Sequence, residues 1–127
     1  MAKESIKLAG QSGLAIAASV EGASDGMPVI LAHGGGQTHR AWKRVSTLLA
    51  SHGFHAIALD LRGHGNSEWA KDGAYDIADF AGDLIAIAAR LERKPALIGA
   101  SLGGLAGIMA EGHLAPGSFA SLTLVDV

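Results

Sequence analysis

The residues best suited to chemistry are Gly99-Ala100-Ser101-Leu102-Gly103-Gly104. A short apolar run, residues 95–98, leads into them and an apolar stretch, residues 102–109, leads out. That spacing predicts a sharp turn from a strand into a helix with Ser101 at its tip. A serine so placed offers its hydroxyl for nucleophilic attack, while Gly99 and Gly103 leave room where larger residues would collide with strand or helix. The Leu102 N–H, at the start of the helix, is free to face a developing oxyanion. The competing reading is an ordinary helix N-cap, a place serine often fills.

A second constellation shifts the balance. His33-Gly34-Gly35-Gly36 follows another compact apolar run, residues 29–32. In a sheet of parallel strands this turn lies at the same carboxyl end as Ser101, where ligands bind. Its glycines allow close backbone approach, so the Gly35 N–H is the natural second oxyanion donor beside Leu102. The remaining histidines, His39, His52, His55, His64 and His113, form no pair with metal-ligand spacing beside a carboxylate. Neither a metal nor a cofactor is expected.

Composition sets the outer bounds. The 127 residues are 49% hydrophobic with a mean hydropathy of +0.29, enough for one domain, residues 1–127, with its own core. Net charge is −2, and the basic residues gather only at Arg40, Lys43 and Arg44, a solvated helix face, so nucleic acid is not an expected partner. With no cysteine, disulfides, thiol catalysis and cysteine-based zinc sites are excluded. The first ten residues carry charges where a leader needs apolar length, and no apolar run approaches the roughly 20 residues of a membrane span. A cytoplasmic protein with no membrane partner is expected.

The elements that must position these residues alternate. Residues 5–9 and 14–20 read as a hairpin, 29–32 as a strand, and Ala41, Trp42, Val45, Leu48 and Leu49 as the buried face of a helix. Residues 54–59 form a strand ending at Asp60, and after a loop over 61–74 a helix begins with Asp76 as N-cap and Ile77, Phe80, Leu84, Ile87 and Leu91 inward. A strand opening at Pro95, a helix from 102 to about 112, a break at 116–118 and a strand over 122–125 complete the chain. This predicts an α/β fold: a mostly parallel sheet with an antiparallel N-terminal hairpin and helices on both faces. The apolar last strand, lacking a polar tail, leaves an open edge. Self-association through that edge is expected, as is a continuation of the native chain past Val127.

The segments HGGGQTHRAW (33–42), LDLRGHGNSEW (59–69), GASLGG (99–104) and LTLVDV (122–127) together resemble, in order and spacing, the N-terminal half of the α/β-hydrolase superfamily. The likeness is closest to its serine branch of esterases, lactonases, carbon–carbon bond hydrolases and cofactor-free haloperoxidase-like perhydrolases. The resemblance implies Ser101 as nucleophile, the Gly35 and Leu102 amides as oxyanion hole, and a small-molecule acyl substrate such as an ester or lactone. Haloalkane dehalogenases and epoxide hydrolases of this superfamily carry aspartate at the elbow, so the resemblance implies neither activity here.

It also implies a structural role for His33, a loop role for His64, and packing of Trp42 against the sheet. Asp126 has two readings, a triad acid as in a minority of relatives or a strand-end aspartate organising a loop; Asp60 reads as a loop anchor. The family's catalytic histidine and lid lie beyond residue 127, and loss of such a base lowers the rate by as much as about 10⁶-fold. Against a serine hydrolase stands a truncated, non-catalytic remnant that serves as a binding module or as half of a two-chain assembly. A dinucleotide site built on the glycine turn and Asp60 fails on spacing, because G-x-G-x-x-G counted from Gly34 needs a small residue where His39 stands.

Overall fold

A computed structural model describes residues 3–127. Strands β1 (Glu4–Ala9) and β2 (Ala15–Glu21) form the expected antiparallel hairpin, with Glu4 opposite Val20 and Ala9 opposite Ala15. Strands β3 (Pro28–Ala32), β4 (His55–Leu59), β5 (Ala96–Ala100) and β6 (Ser121–Val125) complete a six-stranded sheet in the order β1-β2-β4-β3-β5-β6. β2 runs antiparallel to β4, and the pairs β4–β3, β3–β5 and β5–β6 are parallel.

β3 is flanked on both sides and covered on both faces, which explains a run of five buried residues without polar alternation. Its pleat divides them. Ile30 and Ala32 face one layer with Phe80, Leu84 and Ile87 of helix α2 (Ile77–Ala89) and Ala106 of helix α3 (Leu102–Met109). Val29 and Leu31 face the other, with Trp42, Val45 and Leu49 at helix α1 (Lys43–Ser51). The two layers hold the carboxyl ends of β4, β3 and β5 side by side.

Helix α1 departs from the expected phase. Leu48 is 60% exposed and Ala41 is exposed, whereas Ser46 and Ala50 join Trp42 inside. A 3₁₀ turn, His39–Trp42, precedes the helix, with the Thr38 hydroxyl accepting the Arg40 N–H. Three residues per turn there, against 3.6 afterwards, rotate the later positions away from a face counted continuously from Ala41. Helix α2 begins as expected after Asp76, whose N–H donates to the Asp79 carboxylate at 3.0 Å. Helix α3 passes into a wider π turn, Ala110–Leu114, and the Glu111 carboxylate accepts the Gly117 and Phe119 amides, tying this end to the chain that returns to β6. Among the described residues no helix is long and apolar enough to cross a membrane.

Candidate active site

Ser101 occupies the junction of β5 and α3 at φ 48° and ψ −112°, a backbone region that only glycine enters freely. The junction is tight. A Cβ on Gly99 would lie 2.5 Å from the Gly103 carbonyl oxygen, and one on Gly103 would overlap the Ala32 carbonyl. Two backbone bonds clamp it, from the Ser101 N–H to the Val125 carbonyl and from the Gly103 N–H to the His33 carbonyl, each 3.1 Å. The Ser101 side chain makes no capping bond to the helix, which removes the reading of this serine as an ordinary N-cap. Its side chain is exposed.

The glycine turn lies against this elbow. A Cβ built on Gly34 would be 3.4 Å from the Ser101 Cβ, and one on Gly35 would be 3.9 Å from the Leu102 Cδ2. Within the turn the Gln37 N–H donates to the Gly34 carbonyl at 3.1 Å, and the Gly34 N–H donates to the Gln37 Oε1 at 3.0 Å. The Gly36 N–H, at a residue with φ +79°, donates to the His64 Nε2 at 3.0 Å. Among the described residues the amides of Gly35 and Leu102 donate to no protein group. The two expected oxyanion donors are thus the unspent amides of turn and elbow.

Three histidines bind the turn to the loop after β4. The fully buried His33 accepts the Leu61 N–H on Nε2 at 3.0 Å, so its Nδ1 carries the proton and donates to the Gly34 carbonyl at 2.7 Å. Burial pushes this ring below its ordinary pKa, with the nearby His64 acting in the same direction. Both nitrogens are engaged, leaving none for Ser101. His64 donates from Nδ1 to the Arg62 carbonyl at 2.9 Å and packs on His33, ring centroids 4.9 Å apart.

His39 binds Asp60 twice, through its N–H at 2.7 Å and its Nδ1 at 2.9 Å. The Asn66 N–H takes the other Asp60 oxygen at 3.0 Å. Burial alone would raise the Asp60 pKa, but these bonds outweigh it and hold the carboxyl below its usual range. Asp60 anchors loops, as its place at a strand end suggested.

Asp126 lies one residue past Val125, whose carbonyl meets the elbow, and is exposed with φ +50°. Trp42 is buried against β3 and β4. A groove of about 510 Å³ between residues 11–14, Arg62 and Trp69 includes neither Ser101 nor Gly35. Sequence reading missed Gln37 as a brace of the turn, and it missed the buried pair of Arg62 and Asp83. The Arg62 guanidinium spans both Asp83 oxygens at 2.7 and 2.8 Å and donates to the Ala74 carbonyl, while Asp83 also accepts the Gln11 N–H. The only sequence signal for the pair was an aspartate on the apolar face of α2.

The sequence profile of the alpha/beta hydrolase family matches residues 29–127. An esterase of Mycobacterium tuberculosis is 39% identical over 102 residues, 78% of this chain and 32% of the relative. A non-heme chloroperoxidase of Streptomyces lividans is 34% identical over 83% of this chain and 38% of its own. Among crystal structures, an alpha/beta hydrolase from Novosphingobium aromaticivorans superposes with a TM-score of 0.84 at 30% identity, covering 100% of this chain and 45% of that one. Epoxide hydrolase VrEH1 from Vigna radiata superposes with a TM-score of 0.89 at 24% identity, a likeness of fold, over 98% of this chain and 40% of the other. The chain spans about a third to two fifths of the length of the curated relatives it matches.

Proposed function

The chain belongs to the alpha/beta hydrolase family, and from that premise we propose that it carries the nucleophile and oxyanion hole of a serine hydrolase acting on an ester, lactone or related acyl substrate. The observation that carries this reading is the pairing of a strained, exposed Ser101, free of any capping role, with the unspent amides of Gly35 and Leu102. The esterase among the relatives supports the choice of an acyl substrate.

In the proposed reaction the Ser101 Oγ attacks the substrate carbonyl carbon while its proton passes to a histidine base. The carbonyl oxygen takes the electron pair of the broken π bond, and the Gly35 and Leu102 amides stabilise the resulting charge. Collapse re-forms the carbonyl and expels the leaving group, which takes the proton from the histidinium. Water then cleaves the acyl-enzyme by the same steps. No histidine among the described residues bonds to Ser101, so the base is assigned to the part of the full-length protein outside this stretch. Asp126 is the proposed acid to orient that base, supported by its position beside Val125 at the elbow.

The test is labelling of the full-length protein with a fluorophosphonate, read by peptide mass. A phosphonyl adduct on Ser101 that disappears in Ser101→Ala agrees with the reading. A folded protein that takes no label overturns it in favour of a non-catalytic binding role.

A further inference from the structure

The cations Arg40 and Lys43 take no part in the site around Ser101, yet they share a recess with a third. This recess, about 240 Å³ in volume, is lined by Lys3, Arg40 and Lys43 together with Ser19, His39 and Ser46. Ser19 belongs to β2, His39 and Arg40 to the 3₁₀ turn, and Lys43 and Ser46 to α1, while Lys3 immediately precedes β1. Polar groups therefore border it from sheet, turn and helix.

The charges around the recess do not balance. Glu21 lies 3.9 Å from the Lys3 Nζ and accepts the Thr47 hydroxyl on the same oxygen at 3.2 Å. Asp60 is held by His39, whose Nδ1 donates to it at 2.9 Å. Among the described residues Arg40 and Lys43 are in no ion pair. Lys43 opens α1, and the first turn of that helix holds no acidic residue. The positive end of a helix dipole disfavours a cation and attracts an anion, so Lys43 gains from a negative group brought from outside.

Ser46 supplies a second, independent observation. It is only 5% exposed, and among the described residues its hydroxyl has no hydrogen-bond partner. Other hydroxyls of the same helix do find one: Thr47 donates to the Lys43 carbonyl at 3.2 Å and Ser51 to the Leu48 carbonyl at 2.7 Å. An enclosed hydroxyl without a partner is costly, and this one borders the recess.

We propose that the recess is a binding site for the phosphate ester of a small molecule. Donors arriving from three elements suit the tetrahedral oxygens of a phosphate better than the single plane of a carboxylate. Arg40 offers a planar fork, Lys3 and Lys43 offer point charges, and Ser19 and Ser46 offer hydroxyl donors. The His39 Nε2 accepts from a protonated phosphate oxygen or, itself protonated, donates to an ionised one. A volume about eight times a water molecule's share of the liquid leaves room for the ester's organic part.

The experiment is isothermal titration calorimetry of the full-length protein at constant ionic strength, with glycerol 3-phosphate, glycerol and phosphatidylglycerol vesicles as probes. Saturable binding of glycerol 3-phosphate, with none of glycerol, is expected. Arg40→Gln and Lys43→Gln should each weaken it about tenfold, the scale of one hydrogen bond to a charged group. Ser46→Ala should weaken it about threefold without lowering the Tm of the free protein, because no bond within the chain is lost and alanine favours the helix.

Weaker binding in Ser46→Ala together with either charge variant supports the proposal. Affinity unchanged in Ser46→Ala, or in both charge variants, places the anion elsewhere and overturns it. So does a wild type with no saturable binding of glycerol 3-phosphate in the millimolar range, or one that binds only the vesicles. Labelling of Ser101 is a separate measurement, and neither result depends on the other.

Discussion

The imidazole of His33 accepts the Leu61 amide at 3.0 Å in a site with no solvent exposure, joining the ends of β3 and β4 through a neutral ring. Because burial holds this ring below its ordinary value of 6.5, the unfolded chain binds a proton that the folded chain refuses. The contribution is fully present above 6.5 and is lost as pH falls from there through the folded pKa. Urea denaturation as a function of pH should show wild type losing stability across that window, with a shallower slope in His33→Gln. Equal slopes would show that His33 does not carry the effect. His33→Ala, which leaves the buried Leu61 N–H without its acceptor and the Gly34 carbonyl with the Gln37 N–H alone, should cost about 1–3 kcal/mol.

Arg62 and Asp83 form a bidentate pair with both side chains almost fully enclosed. Asp83→Ala strands a guanidinium and deprives the Gln11 amide of its acceptor, and the expected cost is about 3–5 kcal/mol. Replacing both partners with leucine should recover a large part of it, since no charge is then left buried. A double-mutant cycle in chemical denaturation checks this, and additive losses would refute the coupling.

Ser101 is held in a backbone conformation that glycine adopts without strain. Ser101→Gly should therefore raise stability by about 1 kcal/mol, the relief of strain exceeding the entropic cost of glycine, while abolishing labelling at this position. A fall in Tm would show that the serine conformation carries little strain.

Strand β6 pairs with β5 along one edge, and among the described residues nothing pairs with its other edge, where Leu124 and Val125 are exposed. The 127-residue chain should self-associate through it, visible as a concentration-dependent sedimentation coefficient. Leu124→Lys should shift the distribution toward monomer. A wild-type chain that sediments as a monomer at every concentration would refute this.

What was legible from sequence was local. The elbow announced itself because Gly99, Ser101 and Gly103 answer to one another within a single turn, and β3 because a doubly covered strand reads as an unbroken apolar run. The alternation of strands and helices was enough to give a mostly parallel sheet with an antiparallel hairpin, but not the strand order β1-β2-β4-β3-β5-β6. The bonds that shape the candidate site were not legible: Gly36 with His64, and Arg62 with Asp83, join residues 28 and 21 positions apart, with no periodicity to connect them. Leu48 was assigned to the interior because a 3₁₀ turn is invisible to a count that assumes one helical pitch. Asp126 could be placed at a strand end from sequence, whereas its exposure and left-handed backbone could not.

The site is spread over three crossover connections, after β3, β4 and β5, whose strands are neighbours in space and distant along the chain. Its parts therefore do not meet until the central parallel strands have paired, after the slow closure of long loops. Ser101 can acquire its strained turn only when Ala32 and Val125 are already in place to confine it. In refolding, the proposed reactivity of Ser101 should be among the last properties to return, later than the pairing of β3 with β4.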